Sequence, residues 1–429
     1  MATPKLRFKE FKGEWLQADI QALVDEKIID KPMDGNHGEI HPTSADYVDD
    51  GIPFVMATDV IDGKVHLDKS KKIKKSQADG LRKGFSVGGD ILLTHKATIG
   101  NVAKVPELKT PYIMLTPQVT YYRVLNKAKL IPDFIKSTFE APIFQNELLA
   151  LCTGATRLYI GISEQRKLPF SYPSKEEQTK VAAFLSAVDE KISQLTQKYQ
   201  LLSQYKQGMM QKLFSQQIRF KADDGSEFGE WEENVIQYFM DKNYIIDQMD
   251  GNHGELYPKS EEFSEKGIPY IGATDFSNGQ VNFLSTKKLP IERALKFKKG
   301  IAKDGDILFA HNATVGPVAL LKTDLEFVIL STTATYYRCN PQKLKNIYLK
   351  SILESDYFKK QYVGIMSQST RNQVPITTQR KLKLLVPSLE EQTKIANFLS
   401  AIDQKIEVVS QQIEQAKTWK KGLLQQMFV

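Results

Sequence analysis

A short polar loop that occurs twice in the chain is the first place to look for chemistry. The sequence MDGNHGE begins at Met33 and again at Met249, a displacement of 249 − 33 = 216 positions. Its glycines favour tight turns that leave the asparagine and histidine side chains on a loop. An asparagine amide can pair with adenine N6 and N7, although an Asx-type turn that serves only the fold is the alternative. The predicted contact residues in this loop are Asn36, His37, Asn252 and His253.

A second repeated loop follows an apolar run in each copy. Residues 94–100, THKATIG, correspond to residues 310–316, AHNATVG. Donors and a cation at the end of a strand suit contact with phosphate or with base edges. Lys96 becomes Asn312 on the same framework, as expected where a shared scaffold reads different targets; a neutral surface change is the alternative. The predicted contact residues here are His95, Lys96, Thr98, His311, Asn312 and Thr314.

Basic residues supply a third group of candidates. A lysine-rich stretch covers residues 69–75, and a sparser counterpart lies at 287–288. Lysines can neutralise phosphates, but a solvated charged face is the alternative. The lysines predicted to do so are Lys71, Lys72, Lys287 and Lys288.

Two arginines are further candidates. Arg157 and Arg371, each after a threonine, could hold phosphate or guanine with a guanidinium fork, or could anchor a domain to the helix that follows.

Catalytic and metal-binding patterns are missing from the sequence. It contains no GxxxxGK[ST] phosphate loop, no GxGxxG, no HExxH, no GxSxG, and no Asn-Pro-Pro-aromatic motif of adenine methyltransferases. Cys152 and Cys339 are its only cysteines, and neither has a ligand partner at zinc spacing. We therefore predict a chain that is not an enzyme, with no catalytic residue, no metal site, no disulfide framework and no bound cofactor.

Composition is consistent with a polyanion as partner without requiring one. The 429 residues carry a formal net charge of +7, and 41% of them are hydrophobic, which is enough to bury full cores in two or more domains. The first residues have no apolar signal core, and no apolar run is long enough to span a bilayer. We therefore predict a cytoplasmic protein with no membrane partner.

The candidate loops belong to a repeat that runs through the whole chain. GDIL at 89–92 returns at 305–308, TYYR at 120–123 returns at 335–338, and EEQTK at 176–180 returns at 390–394. Each half begins with short apolar runs between Gly and Pro residues, which are typical of strands in a small α/β domain. Two homologous halves are therefore laid end to end.

Each half ends in a helical segment. Ser174 with Glu177, and Ser388 with Glu391, are predicted to form capping boxes at the helix starts. Successive apolar residues then lie alternately four and three positions apart, which predicts a coiled-coil seam along a helix of about 60 Å. The first seam comprises Val181, Leu185, Val188, Ile192, Leu195, Tyr199, Leu202, Lys206, Met209 and Leu213. The second comprises Ile395, Leu399, Ile402, Ile406, Val409, Ile413, Ala416, Lys420, Leu423 and Met427.

The matched seams predict an antiparallel helix pair. Lys206 and Lys420 occupy equivalent seam positions, where they would help to fix the register. The alternative is that each helix packs its apolar stripe against its own domain. The predicted boundaries are 1–173 and 216–387 for the two α/β domains and 174–215 and 388–429 for the two helices.

This arrangement resembles the specificity subunit of type I restriction–modification enzymes. The resemblance lies in two recognition domains alternating with conserved regions of the EEQTK and FLSAxDxKI type, at 176–192 and 390–406. It implies two homologous α/β target recognition domains separated by a long antiparallel two-helix coiled coil. It also implies double-stranded DNA with an interrupted recognition site as target, with the helices setting the gap.

The resemblance further implies partners that carry the chemistry. Two methyltransferase subunits would dock on the conserved regions and bind S-adenosylmethionine, and separate motor–nuclease subunits would use ATP and Mg. Two other functions fit the sequence less well: the specificity half of a fused restriction–methylation system, whose enzyme motifs would lie elsewhere, and a coiled-coil scaffold without affinity for DNA. One departure from the family pattern is the long matching stretches in the two recognition domains, which argue that the half-sites are related.

Overall fold

The chain forms two compact units in the computed structural model, which describes residues 3–38, 41–154, 158–252, 257–366 and 372–429. The first unit comprises Met1–Thr196 with Gln411–Val429, and the second comprises Gln197–Ser410. Each unit therefore contains one recognition domain and a part of both long helices. Within the described ranges, no helix is long and apolar enough to cross a membrane.

The first unit begins with short strands and helices and ends in a long helix. Its strands are β1 (Leu16–Asp19), β2 (Met33–Asp34), β3 (Tyr47–Val48), β4 (Ile52–Val55), β5 (Val60–Ile61), β6 (Lys64–Val65), β7 (Lys71–Ile73), β8 (Phe85–Ser86), β9 (Ile91–Lys96), β10 (Thr98–Lys104), β11 (Ile113–Leu115), β12 (Val119–Tyr122) and β13 (Pro169–Tyr172). Its helices are α1 (Ile20–Asp25), α2 (Lys75–Asp79), α3 (Pro132–Glu140), α4 (Pro142–Ala150), α5 (Ile162–Gln165) and the beginning of α6 (Lys175–Phe214).

The second unit repeats nearly the same order of elements. Its strands are β14 (Glu232–Val235), β15 (Ile245–Asp250), β16 (Ile268–Ile271), β17 (Phe276–Ser277), β18 (Gln280–Val281), β19 (Lys287–Leu289), β20 (Ile301–Ala302), β21 (Ile307–Asn312), β22 (Thr314–Leu320), β23 (Val328–Leu330), β24 (Ala334–Cys339) and β25 (Lys383–Val386). Its helices are α7 (Ile236–Asp241), α8 (Ile291–Ala294), α9 (Asn346–Glu354), α10 (Asp356–Met366), α11 (Ile376–Gln379) and the beginning of α12 (Leu389–Met427).

Two sheets form the body of each recognition domain. In the first unit the strand orders are β10-β9-β12-β2 and β3-β7-β4-β11-β8, with β4 and β11 parallel. In the second unit the orders are β15-β24-β21-β22-β18-β17 and β19-β16-β23-β20, with β16 and β23 parallel. Two-stranded pairings of β1 with β13 and of β14 with β25 complete the domains. The predicted pair of homologous α/β domains is confirmed.

Strand β9 shows why the sheets are layered in this way. Ile91 and Leu93 point into a core shared with helices, whereas Leu92 points into a second core between the sheets. Alternate residues of a strand face opposite sides, so an unbroken apolar run is the pattern of a strand covered on both faces. In β21, Ile307 and Leu308 divide between two cores in the same way.

The start of each long helix differs from the predicted capping box in one respect. The Ser388 hydroxyl accepts a bond from the Glu391 amide at 3.3 Å, as predicted. The Glu391 carboxylate, however, does not return to Ser388 but accepts bonds from Arg219 and Trp231. In the first unit, Glu177 likewise binds Arg7 and Trp15. These carboxylates are buried, and a buried charge requires an opposite charge more than it requires a capping bond.

In each unit the two long helices run antiparallel. In the first unit, Lys420 bonds Asp189, whereas Phe428 packs on Trp15, which itself bonds Glu177. Residues later in α12 therefore lie closer to the start of α6, so the two helices run in opposite directions. The second unit has the equivalent arrangement, in which Lys206 bonds Asp403 and Phe214 packs on Trp231, the partner of Glu391.

The seam residues serve the helix pair and the adjoining recognition domain together. Val181, Leu185 and Val188 share one apolar cluster with Leu423 of α12 and with Phe134 of the recognition domain. The two packing alternatives raised by the heptad pattern are therefore combined in one core. The predicted seam positions that are buried are Val181, Leu185, Val188, Leu195, Leu213, Ile395, Leu399, Ile402, Val409, Ile413, Leu423 and Met427. The other predicted positions are partly buried: Ile192, Tyr199, Leu202, Lys206, Met209, Ile406, Ala416 and Lys420.

The shared core makes the seam a main source of stability. We expect Leu185→Ala to lower the free energy of unfolding by about 2–5 kcal/mol, because it leaves a cavity where the helix pair meets the domain. The exposed neighbour Ser186 provides the control, since Ser186→Ala should change stability by no more than about 0.5 kcal/mol. Urea denaturation of both variants measures the difference, and equal stability of the two would contradict the shared core.

Candidate nucleic-acid interface

Strand register brings the predicted loops to one edge of each recognition domain. In the first unit β2 ends at Asp34, which pairs with Thr120 near the start of β12, and β9 ends at Lys96, which pairs with Thr98. Tyr159 forms a bridge with Lys96. We call residues 34–38, 80–84, 94–100 and 158–160 the first loop edge. The second loop edge consists of the equivalent described residues 250–252, 298–300, 310–316 and 372–374.

Asn36 joins two of these loops from within. Its side chain is only 3% exposed, and its amide nitrogen donates to the Lys83 carbonyl at 2.5 Å. Its amide oxygen accepts from the Arg82 backbone nitrogen at 3.0 Å. Asn252 donates equally to the Lys299 carbonyl at 2.5 Å. This geometry favours the loop-building alternative for both asparagines, because pairing with adenine would require breaking these bonds.

Glycines allow the two loops to approach so closely. A side-chain carbon on Gly35 would lie 1.9 Å from the Leu115 carbonyl oxygen, which no other residue could tolerate. Gly84 has a φ of +87° and would meet Gly35 at 2.9 Å. Gly251 and Gly300 make the equivalent approach in the second unit. The repeated glycines are therefore explained by backbone contact between the loops.

A charged cluster lies above this contact in the first unit. The buried Asp34 carboxylate accepts bonds from Lys83 Nζ at 2.5 Å and from His37 Nε2 at 2.8 Å. Burial raises the pKa of Asp34, but its bonds to Lys83 and His37 outweigh this and hold the pKa below its ordinary value. The His37 side chain is 56% exposed, so the carboxylate orients an accessible imidazole. His253 lies outside the described residues.

The histidines of the second predicted loop lie under the hairpin rather than on it. His95 is 5% exposed, and its Nδ1 lies 3.0 Å from the Ile160 carbonyl oxygen, to which it can donate. Burial lowers the pKa of His95, only partly opposed by that carbonyl and by the charge of Asp34. His311 is buried to the same extent. Both imidazoles are placed to support the hairpin tip.

The hairpin tips carry the accessible side chains. Lys96 and Thr98 are exposed, and Ala97 between them has a φ of +69°, in the left-handed region. In the second unit Thr314 is exposed and Asn312 is partly so. The tips are braced by the segments that follow the predicted arginines, through the bridges of Lys96 with Tyr159 and of Asn312 with Gln373. Arg157 and Arg371 themselves lie outside the described residues.

The predicted phosphate-binding lysines lie on a neighbouring strand. Lys71 of β7 pairs with Phe54 of β4, and β4 runs parallel to β11, whose Leu115 carbonyl touches the first loop edge. Two strand spacings place Lys71 about 10 Å from β11. Lys72 donates to the Asp49 carbonyl at 3.0 Å. In β19, Lys287 lies over the Phe263 ring at 4.9 Å, and Lys288 is partly buried.

The structure adds basic residues that the sequence reasoning missed. Arg82 and Lys83 belong to the first loop edge, and Lys298 and Lys299 occupy the equivalent position in the second. A signal was present in the sequence, because a basic pair before glycine recurs as RKG at 82–84 and KKG at 298–300 with the displacement of the repeat. Three of these side chains are exposed, and Lys83 is partly so.

The role of Asn36 can be tested without a ligand. We expect Asn36→Ala to lower the free energy of unfolding by about 1–3 kcal/mol, because it removes a buried side chain that bonds the Arg82 nitrogen and the Lys83 carbonyl. His37→Ala, in the same loop but largely exposed, should cost no more than about 0.5 kcal/mol. Chemical denaturation of the two variants compares these costs, and a smaller loss for Asn36→Ala than for His37→Ala would refute the loop-joining role.

His95 should also make stability depend on pH. The folded protein keeps this imidazole neutral below its ordinary pKa of 6.5, whereas the unfolded chain takes up a proton there. Stability should therefore be complete above about pH 6.5 and fall as the pH decreases below it. His95→Gln should remove part of this slope between about pH 7.5 and 5.5. An identical slope in the wild-type chain and in the variant would contradict a neutral, buried His95.

Comparison with known proteins identifies the repeat. The sequence model of the type I restriction modification DNA specificity domain matches residues 34–204 and 248–418. The type I restriction enzyme MjaVIII specificity subunit of Methanocaldococcus jannaschii is 27% identical over 277 residues, a match that covers 63% of this chain and 63% of that relative. The matched region thus spans just under two thirds of the relative's length.

Solved structures share the fold over nearly the whole chain. The S subunit of the M. genitalium type I restriction-modification system has a TM-score of 0.59 at 18% identity, covering 100% of this chain and 99% of that one. A chain from a study of complex assembly and conformational transition of the type I R-M system has a TM-score of 0.54 at 16% identity, covering 97% of each chain. The two matched domains and the shared fold show that this chain belongs to the family of type I restriction–modification specificity subunits.

Proposed function

We propose that this chain binds double-stranded DNA by sequence, reading one half of an interrupted target with each loop edge. One observation carries the proposal: the two edges share a framework of glycines, asparagines and buried histidines but differ at the hairpin tip, where Lys96 stands in one and Asn312 in the other. Such a pattern is expected where a fixed scaffold presents different readers.

The hairpin suits the major groove. The major groove of B-DNA admits a two-stranded β-ribbon, and each tip ends in polar side chains that are wholly or partly accessible. A lysine at position 96 can donate to guanine O6 and N7, and an asparagine at position 312 can pair with adenine N6 and N7. Thr98 and Thr314 lie beside them and can reach a base edge or a phosphate.

The surrounding basic residues would hold the backbone of the DNA. Arg82 and Lys298 are exposed at the loop edges, and Lys71 and Lys287 are exposed on the adjoining strands. Cations at such positions neutralise phosphates and fix orientation without reading sequence. The predicted division is therefore between hairpin tips that select bases and lysines or arginines that set overall affinity.

Partner subunits would carry out the chemistry. We propose that two methyltransferase subunits and the motor–nuclease subunits assemble with this chain in the cytoplasm and are directed by it to the target. S-adenosylmethionine would then be bound by the methyltransferases, and ATP and Mg would be used by the motor–nuclease subunits. The family to which the chain belongs supports this division of labour, since its members are specificity subunits.

The hairpin tips can be tested by exchanging them. We expect Lys96→Asn to change the base preferred at one position of the first half-site, and Asn312→Lys to change one position of the second, each by about 1–3 kcal/mol of discrimination. The combined variant should change both. Mapping methylated sites in cells that supply the methyltransferase partner measures the outcome. Ser186→Ala, an exposed change on α6 and outside the residues of both loop edges, is the control and should leave the target unchanged. An unaltered target in the folded Lys96→Asn variant would exclude base reading by this tip.

The lysine strand should affect affinity instead. Lys71→Ala combined with Lys72→Ala should weaken binding to all sequences and reduce the dependence of log K on log salt concentration by about 1 for each phosphate that is no longer neutralised. Lys127→Ala combined with Lys129→Ala is the matched control, because those exposed lysines follow the opposite end of β12. Binding of the assembled complex is measured across salt concentrations. Binding that is flat with salt and sequence would instead indicate a scaffold without DNA affinity.

A further inference from the structure

Four charged side chains form a closed ring in the first unit. Lys420 Nζ lies 2.6 Å from a Glu140 oxygen and 2.6 Å from an Asp189 oxygen. Lys136 Nζ lies 2.8 Å from the other oxygen of Glu140 and 2.8 Å from the other oxygen of Asp189. Each cation therefore contacts both anions, and the ring has no net charge.

The second unit contains the same ring. Lys206 Nζ lies 2.7 Å from Asp403 and 3.3 Å from Glu354, while Lys350 Nζ lies 2.8 Å from Glu354 and 3.8 Å from Asp403. In both rings one long helix gives the lysine, the other gives the aspartate, and a recognition-domain helix gives an i, i+4 lysine–glutamate pair. Three separate elements meet at each ring.

The lysines and glutamates of the rings are largely withdrawn from solvent, whereas the side chains of Asp189 and Asp403 are 34% and 41% exposed. The lysine side chains are between 11% and 17% exposed. Burial lowers the pKa of Lys136, but the charges of Glu140 and Asp189 outweigh it, so its pKa is raised. Burial raises the pKa of Asp189, but the charges of Lys136 and Lys420 outweigh this effect, so its pKa is lowered. The charged forms of Lys136 and Asp189 therefore stabilise each other.

A turn of the recognition domain covers each ring. A side-chain carbon on Gly63, between β5 and β6, would lie 3.3 Å from Glu140 and 3.4 Å from Lys136. The equivalent Gly279 would lie 2.7 Å from Lys350. In the first unit, Lys64 follows Gly63 directly and donates to Ser193 of α6 at 2.8 Å. The chain leaving the Gly63 turn passes through β6 and residues 66–70 before it enters β7, the lysine strand, so the ring contacts a segment that precedes a predicted DNA-binding element.

We propose that the two rings are positioning devices that fix the orientation of each recognition domain on its helix pair and thereby restrict the gap between half-sites that the protein accepts. An apolar contact tolerates sliding, whereas a ring whose lysines and glutamates are largely buried satisfies all four charges in one arrangement only. Movement of one element by a helical turn, about 5.4 Å, would leave buried charges unpaired. The inference rests on the proposed function.

The test uses the assembled complex and duplexes built on the mapped target, with the gap natural, shortened by one base pair or lengthened by one. Lys420→Met keeps the length of the side chain and removes its charge. We expect its preference for the natural gap over the altered gaps to fall at least tenfold, while base preference within each half-site is retained. Lys420→Arg keeps the charge and should largely restore the preference. Lys417→Met, an exposed lysine on the same helix, is the control and should behave as the wild type.

Other outcomes are equally decisive. Unchanged gap preference in folded Lys420→Met, or affinity reduced by one common factor at every gap, would overturn the positioning role and leave the ring a general stabiliser. Lys206→Met tests the second ring, whose longer contacts make it the milder change if Lys420→Met does not fold. If both variants fail to fold, Asp189→Asn and Asp403→Asn remove one charge from the most exposed member of each ring, and an unchanged gap preference in these variants overturns the proposal. Failure of the wild-type complex to select any sequence would instead refute the proposed function.

Discussion

Two buried carboxylates hold the architecture together. Glu177 accepts two bonds from Arg7 at 2.7 Å and one from Trp15, and Glu391 is bound in the same way by Arg219 and Trp231. Each carboxylate stands in the first turn of a long helix, while its partners come from the segment that opens the recognition domain. Removing one partner of such a buried pair costs about 3–5 kcal/mol. The tryptophan then continues the contact into the core, where Trp15 packs on Phe134 and on Phe428.

The sheets carry this fixed geometry to the loop edges. Strand β9 begins in the core that contains the helix pair and ends at the hairpin tip, and alternate side chains hold it to a core on either face. A shift in register by one residue would turn every apolar side chain of such a strand to the wrong face. The neighbouring loops at 34–38 and 80–84 are locked to each other by glycine contacts and by the Asn36 amide. The accessible side chains therefore project from a rigid base, as a reading surface requires.

Much of the fold could be predicted from the sequence because it depends on local periodicity. The repeat, the heptad seam and the apolar strands all follow from spacing within a few residues, and the hairpin at Lys96 follows from an apolar run with a polar end. The partners of polar side chains could not be predicted in this way. Asn36 is bonded to residues 46 and 47 positions away. Glu177 is bonded to residues more than 160 positions away, whereas the predicted capping box had paired its carboxylate with the nearby Ser174.

The charged rings give the two repeated seam lysines, Lys206 and Lys420, a structural role. The first repeat supplies Lys136, Glu140 and Asp189 to its ring, and the fourth member, Lys420, comes from the helix of the second repeat. The second ring in turn takes Lys206 from the helix of the first repeat. The other three members alone would carry one uncompensated negative charge beside the largely buried Lys136 and Glu140, which is costly. Each repeat therefore lacks one cation, which the other repeat provides from the equivalent seam position. This contact explains why a lysine, Lys206 or Lys420, stands in an otherwise largely apolar seam.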